Sequence, residues 1–413
     1  HDRKIAPIPG KHCGKCEFKT RPGDGLLSGF EECWHQAYGL SPRQLAEGTV
    51  LDIYNFRRKD QLIAAGSVLL SQASHAIEVV DARPELSLSE RQWMQVKGIP
   101  SDEDRGGYWL ADGVMRQAMR TWRYPYHFID FETSTVAIPF HKGMRPYEPV
   151  AFQFSHHVMQ ADGSVAHVDE FLLTDPVVFP NFEFARALKR ALEGDEGSVF
   201  MWSSHENTIL NKIVGQLEGC LEGAVYGSGD GSSSEGGAPD DALELIEFMR
   251  TLISGGSRAM VDLCVLSRKA YFAEGIKGSS SIKKVLPSVM KWSGVLKGVY
   301  SGSVYGSSIP SKNFKNFAWW VPSDADPFVP LEPYDLLRLE AEDLLGEEVR
   351  AGEDPDVMAI TEGGAAATAY ARLQFEDVDE VERRMIREAL LRYCELDTLA
   401  MVMIVQAWQE AVG

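Results

Sequence analysis

Apolar and polar residues alternate over three segments between residues 126 and 172, a pattern typical of β-strands. The predicted strands are Tyr126–Glu132, Val150–Met159 and Val165–Leu172. Farther along the chain, helical periodicity alternates with short apolar runs. This part of the pattern predicts a helix over Pro180–Leu192, a strand over Val199–Ser203, a helix from about Glu206 to Leu217 and a strand near Ala259–Asp262. Three strands followed by alternating helices and strands predict an α/β fold with a mixed sheet flanked by helices.

The regions on either side of these elements have different patterns. Residues 36–120 are predicted to be helical, with start signals at Ser41, at Ser87 or Ser89 and near 102–104. A final helix is predicted from about Asp377 to Ala411, because its apolar residues recur on one face that can pack on the sheet.

Three regions follow from these patterns. Residues 1–35, rich in Gly, Cys and Pro, are predicted to be an irregular cysteine-rich arm, 36–120 a helical connecting region, and 121–413 the α/β domain. Within the last region, residues 324–356 are acidic and Pro-rich, with an amphipathic piece from Tyr334 to Leu345.

Composition narrows the class of protein. No apolar stretch in the 413 residues reaches the length of a bilayer span, so we expect a cytoplasmic protein without a membrane partner. The net charge of −19, taken alone, argues against a protein that coats nucleic acid. Since the chain begins at His1 and is already within a cysteine motif at Cys13, we expect it to be a fragment of a longer protein.

The charge is distributed unevenly along the chain. Residues 275–323 contain no Asp or Glu, and seven lysines alternate there with seven aromatic residues. Lysines on phosphates and rings under bases are what a groove for single-stranded nucleic acid needs, so this stretch predicts one. The alternative is a solvated loop with core aromatics.

Several carboxylates stand at spacings that bring them together. Asp130 and Glu132 lie on one face of a strand because side chains alternate with a period of two. Tyr393 and Asp397 are four residues apart and therefore lie on one side of a helix. Glu206 directly follows a predicted strand and opens a helix. Converging carboxylates hold paired Mg²⁺ or Mn²⁺ ions in enzymes that hydrolyse phosphodiesters, and Tyr393 can aim its hydroxyl at the attacking water. Alone, each residue also has a structural explanation.

These residues resemble the three motifs of DEDD-type 3′-to-5′ exonucleases, in the subgroup with tyrosine in the last motif. The motifs here are Asp130-Phe131-Glu132, Glu206 and Tyr393-x-x-x-Asp397. The resemblance implies a ribonuclease H-like core. Most members have Asp in the second motif, where this chain has Glu206, and the longer side chain can shift the metal geometry. Asp262, at the end of a strand beside the site, is expected to be a supporting residue.

A closer resemblance is to the prokaryotic family called domain of unknown function 2779. It extends over roughly residues 124–405 and includes the string around Asp130, Pro146-Tyr147-Glu148-Pro149, residues 278–287, Gly363-Gly364-Ala365-Ala366 and the string around Asp397. Lys283 and Lys284, with Ser281 beside them, are the candidate contacts to substrate phosphates.

The family resemblance also gives a reading of the N-terminal cysteines. Cys13, Cys16 and Cys33 are similar to the end of a preceding nuclease domain, of the RecB and Cas-four type, whose iron–sulfur cluster is held by one upstream cysteine and three later ones. Thiolates at this spacing suit an iron–sulfur cluster or zinc. His12 or His35 could complete a zinc site, and three free cysteines in a flexible arm are the alternative.

The sequence therefore predicts a metal-dependent 3′-to-5′ exonuclease that acts on single-stranded DNA or RNA. The alternatives are a nucleic-acid-binding or assembly module with a vestigial acidic site, and an endonuclease of a repair or defence system. No feature distinguishes DNA from RNA as substrate.

Overall fold

The computed structural model describes residues 6–20, 25–227, 238–340, 360 and 363–413. They fall in two compact units, a first within His1–Met115 and Leu266–Ser288, and a second within Arg116–Val265 and Val289–Gly413. The strands are β1 (Tyr108–Leu110), β2 (Tyr126–Ser134), β3 (Val150–Met159), β4 (Val165–Leu172), β5 (Val199–Met201), β6 (Val261–Asp262) and β7 (Tyr271–Ala273). The helices are α1 (Gly29–Tyr38), α2 (Pro42–Glu47), α3 (Lys59–Ala64), α4 (Leu88–Lys97), α5 (Asp112–Met119), α6 (Pro180–Leu192), α7 (His205–Leu221), α8 (Ala242–Leu252), α9 (Leu263–Ala270), α10 (Ile282–Trp292), α11 (Gly294–Tyr300), α12 (Gly363–Phe375) and α13 (Glu380–Val412).

The second unit is built on a five-stranded mixed sheet with the strand order β4-β3-β2-β5-β6. β2, β3 and β4 are antiparallel neighbours, whereas β5 and β6 extend the other edge of β2 in parallel. The predicted α/β class, a mixed sheet flanked by helices, is confirmed. β3, β4 and α6 also have the predicted bounds.

Two helices cover opposite faces of this sheet. Phe131 of β2 packs edge-on against Phe184 of α6, with ring centroids 4.8 Å apart. On the other face, Gln153 pairs with Glu132 in register and donates a hydrogen bond to the backbone carbonyl of Leu390 on α13 at 2.8 Å. Because side chains alternate along β2, Asp130 and Glu132 share the α13 face.

The first unit has a hydrophobic core around Trp34 and Val50, both fully buried. The predicted helix starts at Ser41 and Ser87 are confirmed: each serine is the N-cap of a helix and forms a capping box. The predicted start near 102–104 is wrong, because these residues form a turn. Glu103 accepts a hydrogen bond from Trp109 Nε1 at 2.5 Å, and Asp104 accepts one from the backbone N–H of Gly107 at 2.7 Å. Such side-chain bonds compete with helix formation.

One segment joins the first unit from far along the chain. β1 pairs antiparallel with β7, and the buried guanidinium of Arg91 donates hydrogen bonds to the carbonyls of Ser267 and Tyr271 at 3.0 and 2.7 Å. Residues 266–288 therefore lie within the first unit, which differs from the predicted uninterrupted range 121–413. Among the residues described, no helix combines the length and the apolar character that a bilayer crossing requires.

Candidate metal centre

Three carboxylates converge between β2 and α13. One oxygen from each of Asp130, Glu132 and Asp397 lies within 4.8 Å of the others. Glu132 and Asp397 keep only 6% of their surface exposed, and Asp130 is half-buried. Three negative charges this close repel one another strongly at low dielectric, so the arrangement favours a cation or a proton among them.

Local structure explains why these three side chains meet. Asp130 and Glu132 point to the α13 face of β2. On α13, Cys394 lies against β2, with its Sγ 3.5 Å from the backbone carbonyl oxygen of Asp130. Asp397 is three residues after Cys394 and therefore lies on the same side of the helix, as Tyr393 does.

Glu206 lies beside this group at the N-terminal end of α7. It is 2% exposed, and its Oε2 is a buried oxygen with no hydrogen-bond partner among the residues that the structure describes. Burial raises the pKa of Glu206 to about 8, with a further contribution from the negative charges of Asp262 and Asp397, although the backbone N–H of Phe131 opposes the shift. A bare carboxylate oxygen next to three acids is a ligand suited to a cation.

The pH dependence of stability tests this description of Glu206. In the unfolded chain its carboxyl ionises near its ordinary pKa of 4.5, but in the folded protein it keeps its proton up to about pH 8. The stability it contributes is therefore complete below pH 4.5 and is lost as the pH rises from 4.5 through 8, on the order of 5 kcal/mol in total.

We compare the free energy of unfolding of metal-free wild type with that of Glu206→Gln. The value for wild type should fall relative to that of the variant when the pH is raised from 5 to about 8.5. Urea unfolding of both proteins in EDTA at the two pH values measures the difference, and the titration of groups distant from Glu206 cancels in the comparison. An equal difference at both pH values would contradict the raised pKa.

Asp262 ends β6, the strand next to β5, and is half-buried. Its Oδ1 accepts a hydrogen bond from the backbone N–H of Val265 at 2.9 Å, and its charge contributes to the raised pKa of Glu206. It thus lies near Glu206 without being one of the three converging ligands, and its supporting role stays a prediction.

Two tyrosines face the carboxylates. Tyr393 is buried, and Tyr334, whose ring centroid lies 6.4 Å from that of Tyr393, donates a hydrogen bond from its hydroxyl to Asp397 Oδ1. Burial, with the neighbouring negative charges of Asp397, Glu132 and Asp130, raises the pKa of both phenols well above 10. Both hydroxyls therefore keep their protons at neutral pH and can donate hydrogen bonds.

Sequence reasoning missed Tyr334. It belongs to the helical residues 333–340, at the start of the predicted amphipathic piece, of which 341–345 lie outside the described residues. No spacing in the sequence connects it to Asp397, since the contact joins residues 63 positions apart.

The helix α12 begins close to the site, at Gly363. A Cβ atom placed on Gly363 would lie 3.8 Å from Glu132 Oε2. Gly363 is the first residue of α12, so the N-terminal end of this helix, with its partial positive charge, lies next to the carboxylate of Glu132.

The candidate phosphate contacts lie in the first unit. Ser281 and Lys284 are exposed and Lys283 is half-buried, at the start of α10.

The aromatic residues of 275–323 do not have the exposure that the predicted groove requires. Five of the seven rings, Tyr300, Tyr305, Phe314, Trp319 and Trp320, are buried. Tyr305, Phe314 and Trp319 pack on one another, with centroids 5.1 to 6.0 Å apart. Buried rings cannot stack under bases, so for these five the prediction of a stacking surface is wrong and the alternative of core aromatics holds. Six of the seven lysines remain exposed, and the other, Lys283, is half-buried.

The three N-terminal cysteines lie in the first unit. Cys13 and Cys16 are half-buried against the Trp34 core, and Cys33 is exposed. Within the described part of the chain, the two groups of side chains whose ligand atoms converge closely enough to hold a metal do not include a cysteine. The iron–sulfur or zinc site stays a prediction.

Comparison with known proteins agrees with one part of the sequence analysis. No curated protein and no solved structure matches the chain. Residues 127–281, which contain Asp130, Glu132, Glu206 and Asp262, match the family model described as "Domain of unknown function (DUF2779)".

Proposed function

We propose that the second unit is a divalent-metal-dependent nuclease that hydrolyses phosphodiester bonds and removes nucleotides from the 3′ end of single-stranded nucleic acid. The observation that carries the proposal is the convergence of Asp130, Glu132 and Asp397 within 4.8 Å, with the buried carboxylate of Glu206 beside them.

The donor set fits a hard divalent cation. All the converging ligand atoms are carboxylate oxygens, which suit Mg²⁺ or Mn²⁺ better than softer metals. Asp130, Glu132 and Asp397 would hold the metal, and Glu206 would contribute its Oε2, for which the described part of the chain offers no hydrogen-bond partner. When bound, a pair of such ions supplies the activation of water and the stabilisation of the leaving oxygen.

The protein's own groups would orient the reactants. The Tyr393 hydroxyl is protonated and lies near Asp397 and Glu132, so it can donate a hydrogen bond to a water or a phosphate oxygen beside these acids. Tyr334 would hold the orientation of Asp397 through its hydrogen bond to Oδ1. The N-terminal end of α12 adds positive potential close to Glu132, which would favour a phosphate beside that carboxylate.

Two further observations support the finer parts of the proposal. The strand order β4-β3-β2-β5-β6, antiparallel in its first three strands and parallel in the others, agrees with a ribonuclease H-like sheet. Glu132 and Asp397 keep only 6% of their surface exposed among the described residues, and such limited exposure suits a single-stranded end better than an intact duplex.

Labelled oligonucleotides test the reaction directly. The full chain is incubated with single-stranded DNA or RNA, labelled at the 5′ or the 3′ end, in Mg²⁺, Mn²⁺ or EDTA. We expect the 5′ label to appear in a ladder that shortens stepwise and the 3′ label to be released first as a mononucleotide, in either metal but not in EDTA.

Other outcomes would favour the alternatives. Cleavage of circular single strands would replace the exonuclease with an endonuclease. Binding without turnover, over both metals and both nucleic acids, would replace it with a binding or assembly module.

A further inference from the structure

A buried polar network joins α13 to β3, β4 and Tyr305. It consists of Glu395 and Thr398 of α13, Ser155 and His157 of β3, His167 of β4, and Tyr305, and all six residues are buried. We call these six residues the Glu395 network. Glu395 stands between Tyr393 and Asp397 in the sequence, yet it contacts a different set of residues.

The contacts form a closed ring. Tyr305 donates a hydrogen bond to Glu395 Oε1 at 2.5 Å, and its hydroxyl lies 2.9 Å from His157 Nε2. The Thr398 hydroxyl lies 2.7 Å from both His157 Nδ1 and Ser155 Oγ. Ser155 Oγ is 3.1 Å from His167 Nε2, and His167 Nδ1 is 3.1 Å from Glu395 Oε2, which closes the ring.

Two more donors reach the same carboxylate from outside the ring. Ser311 donates to Glu395 Oε1 at 2.5 Å, and Asn313 Nδ2 donates to Glu395 Oε2 at 2.8 Å. Asn313 Nδ2 also donates to Glu170 Oε2 at 2.7 Å. Although His167, Glu170 and Glu395 are close enough to hold a metal, the protein's own amide lies between the two carboxylates. The cluster is therefore best described as a hydrogen-bonded anion.

Such a network stabilises a fold inefficiently, because the desolvation of its charge costs free energy. Well-packed apolar residues of similar volume often stabilise a protein as much as a buried charge with its partners, because the charge must first be desolvated. What a buried polar network with many hydrogen bonds adds is a defined geometry. Glu395 receives bonds from side chains outside α13, so its position is fixed with respect to β4 and to residues 305–313.

Helix geometry transmits that position to the metal ligands. At 100° per residue, Glu395 lies about 160° around α13 from Asp397. A ligand atom lies roughly 6 Å from the helix axis, so a 10° rotation of the helix displaces it by about 1 Å. Displacements of this size at a reacting centre can lower the rate by about 100-fold.

We propose that Glu395 is a positioning residue, which fixes the rotation of α13 through the Glu395 network and thereby places Asp397 against Asp130 and Glu132. This inference rests on the proposed function of those three acids as a metal centre.

Conservative variants of the Glu395 network, with a control on the same helix, test the proposal. Glu395→Gln keeps the shape but weakens the bonds to the carboxylate, and Tyr305→Phe removes a single donor. The control is Glu410→Gln, which weakens a bond from Ser293 Oγ to Glu410 Oε2 (2.5 Å) nearer the end of α13. For each protein we measure Mn²⁺ affinity by calorimetry, kcat and KM on a single-stranded oligonucleotide, and the melting temperature in EDTA.

We expect Glu395→Gln to weaken Mn²⁺ binding at least tenfold and to lower kcat at least tenfold with little change in KM. Tyr305→Phe should change the same quantities by a smaller factor, and it decides the matter if Glu395→Gln does not fold. Glu410→Gln should lower the melting temperature without changing Mn²⁺ affinity.

Wild-type Mn²⁺ affinity and kcat in folded Glu395→Gln or Tyr305→Phe would overturn the positioning role, even if the melting temperature falls. Failure of wild type to bind Mn²⁺ is a separate result, which would overturn the proposed function and with it this inference.

Discussion

Asp130→Asn is expected to abolish hydrolysis, with a loss of about 10³-fold or more in kcat. The substitution keeps the size of the side chain but replaces a charged ligand oxygen with a neutral amide in a group whose ligand atoms lie within 4.8 Å of one another. Mn²⁺ affinity should fall together with activity, because the same oxygen serves both. Calorimetry with Mn²⁺ and cleavage of an end-labelled oligonucleotide measure the two losses.

The stability of Asp130→Asn should move in the opposite direction. Removing one of three neighbouring negative charges relieves their repulsion, so in EDTA the variant should melt at or above the temperature of wild type. Asp240→Asn, at an exposed position of the same unit, is the matched control and should leave activity and metal affinity unchanged. Wild-type activity in Asp130→Asn would remove Asp130 from the metal centre.

Sequence analysis predicted those parts of this centre that depend on residues close together in the sequence. The pairing of Asp130 with Glu132 follows from the alternation of one strand, and that of Tyr393 with Asp397 from one helical turn, so local periodicity was sufficient. The bounds of β3, β4 and α6 were predicted correctly for the same reason. The contact between β2 and α13 depends on the fold of the whole unit. The α/β class of that fold was predicted from the order of the elements.

The residues that sequence reasoning missed depend on contacts between distant segments. Tyr334 reaches Asp397 from a region whose sequence predicts only an acidic, Pro-rich character and an amphipathic piece, and β7 joins β1 across more than 160 residues. The aromatics of 275–323 were misread because composition does not distinguish a ring in a core from a ring on a surface. Tyr305 illustrates this: its ring packs in the core, and its hydroxyl donates to a buried carboxylate.

The hydroxyl of Tyr393, beside the three clustered carboxylates, gives the second prediction with a large effect. Tyr393→Phe should lower kcat by about 10² to 10³-fold, the usual cost of removing one hydrogen-bond donor from a reacting centre. The phenol is buried and its raised pKa keeps it protonated, so it acts as a donor and not as a base over the physiological pH range. Accordingly, the loss in kcat should be the same from pH 6.5 to pH 8.5.

Mn²⁺ affinity distinguishes this role from that of the other tyrosine. Tyr393→Phe should leave the affinity within about twofold of wild type, because no carboxylate is altered, and KM should change little. Tyr334→Phe removes the hydrogen bond to Asp397 Oδ1 and should change Mn²⁺ affinity more than Tyr393→Phe does, with a smaller loss in kcat. If Tyr334→Phe instead abolishes turnover while Tyr393→Phe is fully active, the donor to the reacting groups is Tyr334, and the tyrosine in the last motif has only a packing role.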